Sequence, residues 1–335
     1  MIYVEQLCKT FKTPKRYPGF AGAVKGLFSR DYQYTKAVDG ISFHIAPGEI
    51  VGYIGANGAG KSTTIKMMTG ILTPTSGSVH VAGIVPYEKR MENAARIGVV
   101  FGQRTQLWWD LPVHESLTLL RDLYGVSLED YKERLAFLDG ILDLGEFMMS
   151  PVRTLSLGQR MRADLAASLL HRPSVLYLDE PTIGLDALVK ERVRGAIKKL
   201  NREYGTTIVL TTHDLTDIEE LCDRIIVIDA GRKVYDGNLV DLRERYGRTR
   251  TIHAHISGFD GFDAGPLTAE LARLDPSSIL TKENNELIVS FDRAQARIAA
   301  VVQAIMQSCD ILDYTVEETP IDDIVRRIYS EARQP

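Results

Sequence analysis

Val51-Gly-Tyr-Ile-Gly-Ala-Asn-Gly-Ala-Gly-Lys-Ser-Thr-Thr64 decides how the chain is read. Gly55, four variable positions and then Gly60-Lys61-Ser62 follow the pattern G-x-x-x-x-G-K-[ST]. The motif lies after the apolar run Ile50 to Ile54 and before a helical run, which is where a phosphate-binding loop must sit. Around Asn57, Gly58, Ala59 and Gly60 the glycines let successive backbone N–H groups turn inward on a phosphate, and the helix that follows adds the positive end of its dipole. Lys61 is placed for the β- and γ-phosphates, Ser62 for a magnesium ion and Thr63 for the α-phosphate. A plain Gly-rich turn has no need of the full pattern in this strand-to-helix setting.

The chain has 335 residues, enough for two domains, with 44% apolar and 25% charged side chains, an ordinary globular composition. A net charge of −4 and a sequence pI near 6.0 argue against binding to nucleic acid driven by the charge of the whole chain. Cys8, Cys222 and Cys309 are isolated, which suggests neither a disulfide framework nor a cysteine zinc site and fits a reducing cytoplasm. With no signal-type N-terminus and no run of eighteen apolar residues, any membrane role is expected to pass through a partner.

Upstream of the loop, Met1 to Leu7 and Ala37 to Ile45 read as strands, with residues 9 to 36 as an insertion between them. That insertion carries seven basic residues against the single acid Asp31, and Phe20, Val24, Leu27 and Phe28 fall at helical spacing. A short basic amphipathic helix is expected there. It either lies at a membrane surface, where each basic group contributes about 1 kcal/mol, or packs on its own sheet. Downstream, Arg96 to Gln103 is an apolar strand delivering Gln103 at its C-terminal end, the edge where ligands bind in parallel sheets. Residues from Val113 to about Met149 turn helical, with Ser127 to Asp130 as a capping box. Ser174 to Glu180 is a buried strand ending in two carboxylates, and Thr206 to Thr212 is another ending at His213. Ile225 to Asp229 and Lys233 to Tyr235 read as a hairpin turned at Ala230-Gly231, and the first domain is expected to close near Tyr246-Gly247. Beyond it, strands at Thr251 to Ile256, Leu287 to Phe291 and Ile311 to Val316, a helix at Ala294 to Gln307 and an amphipathic helix capped by Thr319-Pro320 make an α+β appendage.

In order, Gly55-x4-Gly60-Lys61-Ser62, Gln103, Leu155-Ser156-Leu157-Gly158-Gln159, Leu178-Asp179-Glu180, Gly184-Leu185-Asp186 and His213 form a set that resembles the ATP-binding cassette (ABC) ATPases, and the basic insertion together with the closing segment Tyr314 to Tyr329 resembles the export-type bacterial cassettes of the drug and polysaccharide exporter group. The resemblance implies an α/β P-loop NTPase cassette over residues 1–246: a RecA-like core, an antiparallel β subdomain and a helical subdomain at about 104–158. The α+β appendage follows at 248–335. It implies ATP and Mg²⁺ as ligands. Lys61, Glu180, His213 and Gln103 are then the catalytic set, with Glu180 as general base, His213 on the γ-phosphate and its water, and Gln103 sensing metal or water. Ser62, Asp179 and Gln103 are the metal shell. Nucleotide contacts come from Gly55, Asn57, Gly58, Ala59, Gly60, Lys61, Ser62 and Thr63, from Tyr32 stacked on adenine with Tyr34 as second choice, and from Ser156, Gly158 and Gln159 acting across a homodimer. Leu157 departs from the usual Leu-Ser-Gly-Gly-Gln and adds a side chain where backbone approaches phosphate.

The partners implied are a second copy of the chain and a separate integral membrane permease at the cytoplasmic face of the cell membrane, with no nucleic acid. Outward transport is favoured, and the cargo is not encoded here. The competing class is a soluble cassette ATPase acting on ribosomes or DNA. Those generally carry two cassettes or a long coiled coil, and this chain has one cassette and no sustained heptads. A regulator without turnover is disfavoured because Lys61, Glu180 and His213 are all present. Met67-Met68 reads as core and Asp186 as structural near the dimer contact. His253 and His255 read as a solvated strand face, and Trp108-Trp109 as either a membrane-partner contact or a buried anchor.

Overall fold

The computed structural model describes residues 1–15, 31–101 and 104–332. The expected helix from Phe20 to Phe28, and Gln103, fall outside the described residues. The chain divides into two compact units, Met1–Gly237 and Asn238–Pro335. The division comes earlier than the expected Tyr246-Gly247 because the helix Leu239–Tyr246 packs against the helix Ile321–Ala332 of the second unit.

The first unit is built on a six-stranded sheet in the order β5-β6-β7-β3-β8-β9. Its members are β3 (Ile50–Gly55), β5 (Ile97–Phe101), β6 (Val175–Asp179), β7 (Thr207–Thr211), β8 (Arg224–Asp229) and β9 (Arg232–Asn238). The pairs β5–β6, β6–β7, β7–β3 and β3–β8 are all parallel. Near-continuous apolar runs such as Ile208-Val209-Leu210 and Ile225 to Ile228 are fully buried, as strands covered on both faces require. Parallel pairing brings the C-terminal ends of β5, β6, β7, β3 and β8 to one edge, so Gly55, Asp179 and Thr211 meet there although they are far apart in sequence. The turn between β8 and β9 takes Ala230 and Gly231 at φ 47° and 80°, the doubly left-handed turn that suits a tight hairpin.

A three-stranded sheet in the order β2-β1-β4 joins β1 (Ile2–Pro14), β2 (Tyr32–Ile45) and β4 (Ser76–Val81). The β1–β2 ladder runs from Ile2↔Ile45 to Pro14↔Tyr32, so residues 9–14 and 32–36, expected inside an insertion, are paired strand. Both stretches are exposed to partly exposed and rich in basic and hydroxyl side chains, with no buried face to alternate, which hid them from a hydrophobic reading. Helices Val113–Leu123 and Leu128–Leu142 form in the expected helical region. Ser127 Oγ accepts from Asp130 N at 3.1 Å, while the Asp130 carboxylate pairs with Arg134 instead of closing a capping box.

The second unit is a four-stranded antiparallel sheet in the order β11-β12-β10-β13, made of β10 (Thr249–Ile256), β11 (Ile279–Glu283), β12 (Glu286–Asp292) and β13 (Ile311–Glu318). Ile252, Ala254, Leu287, Val289 and Phe291 form its core with Leu267, Leu271, Val301 and Ile305 from the helices Gly265–Leu274 and Ile298–Ser308. The reading missed β11 and the helix Gly265–Leu274. The polar end of β11 masks the strand, whose turn to β12 rests on Asn284 and Asn285 at φ 51° and 68°. His253 and His255 sit on the opposite face from the core, each within 3.2 Å of Glu286, as expected of a solvated face. The Thr319 hydroxyl donates to Thr249 O at 2.6 Å.

Candidate functional site

A cleft of roughly 820 Å³ opens at the C-terminal edge of the six-stranded sheet. Ala56, Asn57, Gly58, Gly60, Lys61, Ser62 and Thr63 line one side, and Asp179, Glu180, Ile183 and His213 the other. The sharp return from β3 into the helix Lys61–Met68 depends on glycine. Gly60 has φ 107°, and a Cβ there would lie 2.5 Å from Ala37 O. Gly55 is equally constrained, since a Cβ would sit 2.6 Å from Ile228 O, and Ala59 is buried beneath the loop. Lys61 donates to Gly55 O at 2.6 Å and to Ala56 O at 3.3 Å, so its ammonium is held inside the curve of its own loop. Burial pulls its pKa below the ordinary lysine value, and the charges of Glu180 and Asp179 oppose that pull. The N–H groups that begin a helix have no intrahelical acceptor, so Lys61, Ser62 and Thr63 present donors to whatever fills the cleft, while the Thr64 N–H already closes the first turn on Gly60 O at 2.9 Å.

Across the cleft, Asp179 ends β6 beside Thr211 of β7, and Thr211 Oγ1 donates to Asp179 Oδ1 at 2.6 Å. Glu180 follows at φ 59°, a left-handed conformation that costs a non-glycine residue of order 1 kcal/mol. Its N–H donates to Thr211 O at 2.9 Å, which fixes the turn, and its Oε1 lies 2.9 Å from His213 Nε2. Five sequence-identified residues, Lys61, Ser62, Asp179, Glu180 and His213, therefore line one cavity. Phe101 and Arg104, on either side of residues 102–103, line it too.

Tyr32 does not line the cleft; Phe11 does. In the β1–β2 ladder Phe11 is opposite Thr35 and Lys12 is opposite Tyr34, so alternation puts Phe11 on one face of the hairpin and Tyr32 and Tyr34 on the other. Lys12 Nζ accordingly sits 3.8 Å from the centre of the Tyr32 ring. A single strand-length error concealed this: ending β1 at Leu7 left Phe11 in a loop.

Ser156, Gly158 and Gln159 lie outside the cleft of their own chain. Ser156 caps the helix Leu157–Leu169 in a reciprocal box, accepting from Gln159 N at 3.2 Å while its own N–H donates to Gln159 Oε1 at 2.9 Å. Gly158 faces Val189, whose Cγ1 would be 3.0 Å from a Cβ at that position. The Leu157 side chain turns toward Gly184, so the residue that departs from the usual signature packs on the loop after Glu180. Asp186 caps the helix Ala187–Tyr204 by accepting from Val189 N at 3.0 Å. Trp108 and Trp109 are 42% and 49% exposed, and the neighbouring Leu107 supplies the buried anchor.

The model of the ABC transporter family matches residues 38–183. The linearmycin resistance ATP-binding protein LnrL of Bacillus subtilis (strain 168) is 36% identical over 229 residues, 68% of this chain and 73% of that protein. The daunorubicin resistance ATP-binding protein DrrA3 of Streptomyces coeruleorubidus is 31% identical over 306 residues, 90% of this chain and 94% of its own length. Among solved structures, the dimeric post-hydrolysis state of the ATP-binding cassette MJ0796 bound to ADP and Pi is 27% identical with a TM-score of 0.59. That likeness covers 71% of this chain and 99% of the cassette. The chain belongs to the ABC transporter family, and it is an ATP-binding ATPase cassette of that family. No helix among the described residues is long and apolar enough to cross a membrane.

Proposed function

We propose that this chain is the ATP-hydrolysing subunit of an exporter, acting as a homodimer seated on a separate membrane permease at the cytoplasmic face. The observation that carries the catalytic half is the meeting of Lys61, Ser62, Asp179, Glu180 and His213 around one cleft, with Glu180 and His213 in direct contact. Lys61 and the helix N-terminus hold the phosphates. The Ser62 hydroxyl and the Asp179 carboxylate are hard oxygen donors of the kind magnesium takes, and the metal, when bound, neutralises charge on the transferred phosphoryl group. Glu180 accepts the proton of the attacking water, and His213 orients the Glu180 carboxylate. Phe11 supplies the ring on which adenine stacks.

Ser156, Gly158 and Gln159 cap the ATP held by a second copy, which explains why they stand apart from the cleft of their own chain. Trp108, Trp109 and the exposed Met149 offer apolar surface on the helical part of the cassette, and we assign it to the permease contact. The names of LnrL and DrrA3 support an exporter over a soluble enzyme working on ribosomes or DNA.

The test is reconstitution of the chain with the membrane protein that co-purifies with it. Wild-type complexes in vesicles should show ATP-dependent cargo movement, and complexes carrying Glu180→Gln should show none. Wild-type complexes that hydrolyse ATP without moving cargo, or a chain with which no integral membrane protein co-purifies, would contradict the transport assignment.

A further inference from the structure

Asp217 lies on the helix Leu215–Leu221 and is fully buried. A buried carboxylate is costly unless its lone pairs are filled, and four bonds converge on this one. Arg194 donates to Oδ1 through Nε at 2.7 Å and Nη2 at 2.6 Å. Oδ2 accepts from Thr212 Oγ1 at 3.0 Å and from Thr182 Oγ1. The two threonines belong to different loops. Thr182 is two residues beyond Glu180, and Thr212 directly precedes His213. One carboxylate oxygen therefore ties the loop that carries Glu180 to the loop that carries His213, while the other oxygen is clamped by a guanidinium from the helix Ala187–Tyr204.

We propose that Asp217 is a positioning residue for ATP hydrolysis: through Thr182 and Thr212 it sets the 2.9 Å contact between Glu180 and His213. The assignment rests on the catalytic reading given above. The contact needs an external tether because each partner is poorly placed to hold itself. Glu180 has a left-handed backbone, and the His213 side chain is 49% exposed. A displacement of about 1 Å at such a pair is enough to cost on the order of a hundredfold in rate. Asp217 touches neither nucleotide loop nor cleft, so its loss should spare ATP binding.

Steady-state hydrolysis by the full chain tests this. Asp217→Asn should lower kcat by about tenfold to a hundredfold with KM for ATP changed by less than about twofold. Thr182→Val removes one tether at constant shape, Thr212→Val removes the other together with the acceptor of the Asp214 N–H, and each should lower kcat by about two- to tenfold. Their combination should be no worse than Asp217→Asn, because they act through one group. Thr212→Ser, which restores the hydroxyl, should recover the wild-type rate. If Asp217→Asn does not fold, the threonine variants decide. Wild-type kcat in both valine variants, or a KM rise that accounts for the whole loss, overturns the proposal. Glu180→Gln separates the two levels: turnover surviving that change sinks the catalytic reading itself, whereas a dead Glu180→Gln beside unaffected threonine variants sinks only the tether.

Discussion

His213 Nε2 stands 2.9 Å from Glu180 Oε1, each side chain placed just past the end of one of two adjacent parallel strands. The pairing ties the orientation of the carboxylate to the imidazole. With His213→Ala, Glu180 loses the group that aims it. Turnover should fall by about 10² or more, within the range for general acid–base groups, while ATP affinity changes little. Equilibrium binding of a fluorescent ATP analogue beside a phosphate-release assay checks both halves. A variant with near-normal turnover would release His213 from this role.

Phe11 and Tyr32 give opposite expectations for the base. Stacking of a base on an aromatic ring is worth about 1–3 kcal/mol, so Phe11→Ala should weaken ATP binding by roughly five- to a hundredfold, and Tyr32→Ala should leave it close to wild type. Calorimetric titration of both variants distinguishes them. The reverse ranking would return the adenine contact to Tyr32.

Gly60 joins a left-handed φ to a close approach by Ala37 O. Gly60→Ala should lose at least about 1–3 kcal/mol of stability, from the strained conformation and the clash together, and should bind nucleotide poorly even when folded. Gly58, at φ 81° but with open space around a Cβ, should tolerate Ala better in the fold. Chemical denaturation of the two variants tests the difference, and equal losses would show that only backbone conformation matters.

Asp164, on the helix that Ser156 caps, is buried with its carboxylate accepting from Thr105 Oγ1 at 2.8 Å and from Gln106 N at 3.0 Å. Burial pushes its pKa up to about 6, with those two bonds working against the rise. The folded state therefore binds this proton more tightly than the unfolded chain, whose aspartate titrates near 3.8. Its contribution to stability is most favourable below the unfolded value and declines as pH rises from there to about 6. Above that the full penalty applies, at most about 3 kcal/mol. Asp164→Asn keeps an acceptor and removes the titration. Relative to wild type it should gain stability between pH 4.5 and pH 7.5, measured as urea midpoints. Parallel pH profiles for the two proteins would refute the assignment.

What could be read from the sequence were the residues whose roles are set by local strand-to-loop geometry. Asp179, Glu180 and His213 sit at or just past the ends of short buried strands, and Lys61 and Ser62 open the helix that the phosphate-loop pattern marks after β3, so motif and strand ends together predict a common edge. Phe11 was hidden because its strand is Lys-rich and the hydrophobic alternation stops at Leu7. Asp217 and Asp164 were hidden for another reason: their partners Thr182 and Thr105 are 35 and 59 residues away, and nothing local marks either carboxylate as buried. The helix Leu239–Tyr246 follows β9 without a break, and only its packing on Ile321–Ala332 groups it with the second compact unit, which nothing local in the sequence marks.

Glu180 carries the central claim, and single-turnover hydrolysis by Glu180→Gln in the full-length chain tests it most directly. The substitution keeps the side chain's shape and its reach to His213 while removing the base. The expected result is a fall of at least about 10² in the hydrolysis rate, with ATP still bound and a nucleotide-loaded dimer accumulating in size-exclusion chromatography. Hydrolysis within a fewfold of wild type by that variant would contradict it.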